Sequence, residues 1–291
     1  MQFYYVIHIC GAAVSFLSLI GSIFIIIHML HKLKRLSNFK RSSLINRMQL
    51  YLSIADFGLN SIHGTDHFYQ LVVNQPLASP ACEIIGFIVN MLFNSLGFLS
   101  CFISVSSLLV VIFNKKLLFW KFDLLMLSVS FGIPLLLNIT AAIKNWLAFN
   151  GIWCSVYSPS LIVVLSMIYG GSSVCINFII SVFCYSAITV KLVITSEKVN
   201  KLMNQANAMR IIPVKTIKRF LIFVLGIFIQ WLPLTIFSVV RMSGSASSTL
   251  VLIVVIFSNT GGVINVIYYL AFRRPRVGPV SSKSLETTNH I

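Results

Sequence analysis

Residues 1–47 read MQFYYVIHICGAAVSFLSLIGSIFIIIHMLHKLKRLSNFKRSSLINR, and their order decides the fold. An apolar run over 6–30, free of Asp, Glu, Lys and Arg, gives way at once to Lys32, Lys34, Arg35, Lys40, Arg41 and Arg47. A hydrocarbon core of about 30 Å takes roughly 20 apolar residues of helix. A run of that length ending in a cluster of cations reads as a membrane span leaving the bilayer on its cytoplasmic side. The stretch has no basic leader and no small-residue cleavage site behind a short apolar core. It therefore reads as a first span and not as a removable signal.

The same pattern repeats along the chain. Apolar runs fall at about 6–30, 48–73, 82–113, 123–146, 159–190, 217–240 and 249–272. Of the 291 residues 57% are apolar and 10% charged, against about 45–50% and about 25% in soluble domains. Backbone groups in hydrocarbon must bond within the chain, so runs of this length must be helices. The ten-residue alternation of a membrane barrel is missing. With the first loop in the cytoplasm, every Lys and Arg except Lys144 and Arg241 falls on the cytoplasmic side, which places the N-terminus outside and the C-terminus inside. The fold expected is an all-α membrane protein, a bundle of seven transmembrane helices over 1–272. Residues 273–291 form a short, polar cytoplasmic tail, read as disordered. The net charge of +16 lies in the gaps between spans, so it marks topology and membrane lipid, not nucleic acid.

Charged and strongly polar residues inside spans cost about 2.5–3.5 kcal/mol on insertion scales and ask for a reason. Asp56, midway along the second span, is either an ion or proton site or a hydrogen-bonded link between helices. His63, Asp66 and His67 stand at i, i+3 and i+4 near the outer end of that span. A proton sensor, an incomplete metal site and an interfacial patch are all open for them, and the patch is the simplest reading. Asn90, Asn94 and Ser104 share one direction on the third span. Trp231 precedes Pro233, which should kink the sixth span. The six cysteines show no metal spacing, so no metal or cofactor is expected. Cys10, Cys101, Cys175 and Cys184 read as packing residues.

Taken in order, these residues resemble the rhodopsin-like (class A) G-protein-coupled receptors over nearly the whole chain. Leu52-Ser-Ile-Ala-Asp56 looks like that family's L-A-x-A-D, with Asp56 at its sodium-site aspartate. Cys82 and Cys154 are similar to its disulfide between the third span and the second outer loop. Tyr185 resembles its fifth-span tyrosine, and Gln230-Trp231-Leu232-Pro233 resembles C-W-x-P. Asn265-Val266-Ile267-Tyr268-Tyr269, followed by Ala271-Phe272-Arg273, looks like N-P-x-x-Y running into a short eighth helix. The departures are specific. Ser106-Ser107-Leu108 occupies the D/E-R-Y position, Val266 replaces a proline, Leu96 stands where the family offers a serine, and Ser22 replaces an asparagine.

The resemblance implies a multi-pass plasma-membrane receptor that passes an extracellular small-molecule signal to a cytoplasmic partner. That partner would be a heterotrimeric G protein, although the arginine that would contact it is missing. The activation residues would be Asp56, Tyr185, Trp231, Pro233, Asn265 and Tyr269. The ligand would lie among Asn90, Phe93, Asn94, Tyr169, Thr235 and Asn259. Val89 holds the position of the amine-binding carboxylate, so an amine ligand is not expected. Arg210, Lys215, Lys218 and Arg219 would face the partner or the anionic inner leaflet. A retinal-linked protein needs a seventh-span lysine, and 249–272 has none. Transporter repeats and convergent catalytic groups are not seen, so no enzyme is expected. The rival is a serpentine chemoreceptor or ligand-gated channel subunit that signals without a G protein.

Overall fold

The computed structural model describes residues 2–35, 44–113, 123–157, 161, 172–204, 212–242 and 247–272. These form eight helices and one hairpin, namely α1 (Gln2–Arg35), α2 (Leu44–Val73), α3 (Ala81–Phe113), α4 (Leu124–Ile143), β1 (Leu147–Phe149), β2 (Cys154–Val156), α5 (Ser172–Asn204), α6 (Ile212–Met242), α7 (Ser248–Ser258) and α8 (Gly261–Phe272). Four helices are long and apolar enough to cross a membrane, over Phe3–Lys32, Ala81–Phe113, Leu124–Ile143 and Cys175–Thr195. The α7–α8 pair, bent by 45° at Asn259 and Thr260, makes a fifth, broken span.

The bundle is apolar outside and polar within, the inverse of a soluble protein. On α1, Phe16, Leu17 and Ile27 are exposed while Ser15, Ser18 and Ser22 are buried. On α2, Phe68 and Val72 are exposed while Ser53, Asp56, Asn60, His63, His67 and Gln70 are buried. The spacing of that buried set alternates three and four residues, which keeps it on one helical face. α2 falls short of a purely apolar span because this face is polar along its whole length. Lipid is as apolar as leucine, so burying such a face against neighbouring helices is what the membrane favours.

α1 packs on α2 and α8, α3 on α2, α4 and α5, and α6 on α5 and α7. The mid-bundle core gathers Leu59, Leu96, Leu99, Tyr185, Ile188 and Trp231 from four helices. Helices occupy most of the residues of each expected apolar run among the described residues. The fifth helix runs on to Asn204, past the expected end at 190, and 162–171 lie outside the described residues. The hairpin was not anticipated. β1 and β2 pair antiparallel, Ala148 opposite Ser155, and turn at Gly151, whose φ of 97° suits glycine alone. The hairpin lies on α3.

Candidate functional site

The polar face of α2 meets the broken α7–α8 span at its bend. Asn265 Nδ2 donates to Asp56 Oδ2 at 2.5 Å, both residues being buried. A methyl group at Gly261 would run into Asp56 Oδ1 and approach Gln230 Nε2 to 2.9 Å. The glycine at the start of α8 therefore lets the backbone close on the carboxylate from one side while Gln230 approaches from α6. One residue on, Gly262 N–H donates to Ser18 Oγ at 2.7 Å, so α1 is tied to the same segment. Asp56 Oδ1 has no hydrogen-bond partner among the described residues. Of the two readings of Asp56, the helix-linking bond is present, and the second oxygen keeps acceptor capacity.

Toward the N-terminal end of α1 the polar face continues through His63, Asp66 and His67, for which an interfacial patch was the simplest of three expectations. That expectation is corrected: His63, Asp66 and His67 are buried, as are His8 and Gln70. His8 Nδ1 and His67 Nδ1 lie 2.8 Å apart. His63 Nδ1 lies 3.0 Å from Asn259 Oδ1 at the helix break. Gln70 donates to Asp66 at 3.0 Å and accepts from Tyr4 at 2.7 Å. The reason is α1: its N-terminal turns cover this face of α2 instead of leaving it at the interface. Among the described residues no group of three His, Cys, Asp or Glu side chains is placed to hold a metal ion. His8 and Gln70 are the members the sequence reading missed. The three-four spacing from Ser53 to Gln70 was the signal for Gln70.

The expected ligand residues are only partly together. Phe93 meets Trp231 edge to face, with ring centroids 5.7 Å apart. Thr235 Oγ1 donates to Trp231 O at 2.9 Å, beside Pro233 within α6. Asn94 is buried and donates to Asn90 O at 2.9 Å, while Asn90 donates to Ser155 Oγ at 3.3 Å and so ties α3 to the hairpin. Asn259 is turned to His63 of α2, away from this group. Tyr169 lies outside the described residues. A separate cleft of about 300 Å³ is lined by Glu83, Ile84, Phe87, Ala142, Asn145 and Leu147, and contains none of the expected ligand residues.

Cys82 and Cys154 form a disulfide that ties β2 to the first turn of α3. At the other end of α3, the buried Tyr185 is set against Ser104 and Ser107, so it reaches the position where the related triplet would carry arginine. Tyr269 turns to α1 and meets His28. Its neighbour Tyr268, not singled out from sequence, turns to α6, where its hydroxyl fills the space a side chain at Gly226 would need. Arg47 Nε and Nη2 hold Asp123 Oδ2 and Oδ1 at 2.6 and 3.0 Å, with Tyr51 OH 3.3 Å from Oδ2. Arg210 lies outside the described residues, and Lys215, Lys218 and Arg219 stand on the first turns of α6.

The sequence matches no protein-family model and no curated protein. The backbone is similar to the crystal structure of squid rhodopsin, with a TM-score of 0.65 and 16% identity over 91% of this chain and 81% of that chain. The fold is that of the rhodopsin-like receptors. With its apolar helices and inward polar faces, the chain is a multi-pass membrane protein of that architecture.

Proposed function

We propose that this chain is a seven-helix receptor of the plasma membrane, N-terminus outside, that carries an extracellular small-molecule signal to a heterotrimeric G protein. The observation that carries the reading is the Asp56–Asn265 bond across 2.5 Å. It couples the buried face of α2 to a seventh span already broken at Asn259 and Thr260, in a fold shared with rhodopsin. A ligand above Phe93 and Trp231 would bias α6 about Pro233, and the break gives the seventh span a place to bend in response.

The basic residues on the first turns of α6 support a cytoplasmic face for that end, on the positive-inside rule. Val89, buried at the amine-binding position, supports a neutral or weakly polar ligand. At the position of that family's arginine this chain has Ser107, which Tyr185 faces from α5.

Nucleotide exchange on a panel of G proteins, with the full chain in lipid, tests the reading. Exchange above that of empty lipid, lost in Trp231→Ala, supports it. Current through membranes containing only this protein, with no exchange on any G protein, would establish the channel alternative in its place.

A further inference from the structure

The cluster of buried histidines has a use that the reading above does not absorb. Asn259 Nδ2 donates to Val255 O at 2.7 Å, which leaves its Oδ1 as the acceptor facing His63 Nδ1 at 3.0 Å. His63 must therefore carry its proton on Nδ1, and its Nε2 is a bare lone pair. That Nε2 is buried and has no hydrogen-bond partner among the described residues. The Nδ1–Nδ1 contact of His8 and His67 at 2.8 Å holds one proton between two nitrogens, and both Nε2 atoms are likewise without partners. Asp66 accepts from Gln70, faces the backbone N–H of Cys154, and keeps Oδ2 unpaired.

The box is tight. His63 and His67 have ring centroids 4.5 Å apart, and His8 and His67 5.0 Å. Gly11 forms one wall, so close that a methyl there would meet His67 Cδ2 at 2.6 Å. Trp153 stands edge-on to His63 at 5.8 Å and forms another. Rings packed this closely over bare, buried nitrogens suit the smallest cation.

We propose that His8, His63, His67 and Asp66 form a proton-binding site at the outer end of the bundle, through which extracellular acid acts on this receptor. Its effect on signalling rests on the receptor reading above, whereas the binding does not. The proton adds to a bare imidazole nitrogen, and the Asp66 carboxylate is the counter-charge. The groups that face the site are Tyr4 and His8 from α1, and His63, Asp66 and His67 from α2. The hairpin offers Trp153 and the Cys154 N–H, and the helix break offers Asn259. The nearby cation of α6, Arg241, is held on the rings of Tyr157 and Phe237.

The consequences follow from valence. The His8–His67 bond survives one added proton and not two, because its acceptor nitrogen is then lost. Acid thus loosens α1 from α2 at this end. A charge on His63 sits one hydrogen bond from Asn259 and the bend of the seventh span.

The test is histidine-selective NMR of the full chain in lipid nanodiscs, titrated from about pH 8 to about pH 3.5, a window that extends below the range in which histidine ordinarily changes charge. The expected result is that His8, His63 and His67 titrate as a coupled set, and that His67→Gln moves the His8 midpoint by about one pH unit or more. Signals from the three that stay fixed over the range, or that ignore the loss of a neighbour, overturn the proposal. If His67→Gln does not fold, Asp66→Asn gives the same readout through its effect on His63. Titrating histidines with no G-protein response at any outer pH would leave the proton site standing and remove the receptor reading. Ligand-driven exchange with silent histidines would do the reverse.

Discussion

Asn265 on α8 donates its side-chain amide to Asp56 on α2 at 2.5 Å, within a segment that Gly261 brings against the other carboxylate oxygen. The bond is buried on both sides, and it joins two helices that have no ion pair between them among the described residues. A buried donor that loses its acceptor costs about 1–3 kcal/mol. Asp56→Ala removes both carboxylate oxygens and strands the Asn265 amide, so thermal unfolding in lipid should show a loss of about that size. Asp56→Asn retains an acceptor and should lose less. Equal stability of the alanine variant and the native chain would remove the bond from any structural role.

Gly261 offers a separate test of the same contact. A methyl at this position collides with Asp56 Oδ1 and Gln230, whereas one at Gly132 of α4 meets nothing within 4 Å. Overpacking a filled core costs about 1–3 kcal/mol, and glycine to alanine in an open helix gains about 0.4–1 kcal/mol. Gly261→Ala should therefore unfold at lower temperature than the native chain, and Gly132→Ala at the same or a higher one. A neutral Gly261→Ala would mean that α8 stands off from Asp56.

The disulfide predicts a coupling between the hairpin and the start of α3. Cys82→Ser should free β2, whose register places Cys154 opposite Phe149. Asn90, which donates to Ser155 on the same strand, would then lose its partner. Native disulfides in small secreted domains are worth about 2–5 kcal/mol, and the outer side of the membrane keeps them oxidised. Hydrogen exchange at Ala148 and Ser155 should accelerate in Cys82→Ser while that at Leu96 and Leu99 stays slow. Unchanged protection at Ser155 would show that the hairpin is held by its packing alone.

The helical membrane architecture was legible because span length is a property of composition over long windows. The polar spine was only half legible. Asp56 was noticed for its charge, and His63, Asp66 and His67 for their spacing. Their burial, however, depends on α1 lying over them, which no local pattern states. The period from Ser53 to Gln70 was present in the sequence as an inward face. A hydropathy reading misses it, because it weighs each polar residue as a cost instead of asking which neighbours share its face. The break at Asn259 and Thr260 carries no proline, and Val266 stands where the resemblance would place one. The glycine pair at 261 and 262 was the better sign. Tyr268 and Tyr269 are adjacent, so only the helix phase separates the one facing α6 from the one facing α1.

Arg47 and Asp123 are 76 residues apart, and nothing in the sequence joins them. Arg47 was counted as a topology charge and Asp123 fell at the edge of a span. In the fold they form a two-bond ion pair joining the start of α2 to the residue before α4, with Asp123 at 2% and Arg47 at 15% exposure. Asp123 holds a left-handed backbone, φ 58°, so its placement is set by the chain turn as well as by the pair. Removing one partner of a charged, buried bond costs about 1–3 kcal/mol or more. Tyr51 at 3.3 Å from Asp123 would offset part of that loss. Arg47→Ala should therefore destabilise the chain, and Arg47→Asp more so, since it sets two carboxylates together. Pairing Arg47→Asp with Asp123→Arg should restore part of the loss. On the proposed receptor function, a pair that restrains this end of the bundle predicts that Arg47→Ala raises ligand-free nucleotide exchange. Lower exchange in Arg47→Ala with stability intact would instead make Arg47 a contact to the partner itself.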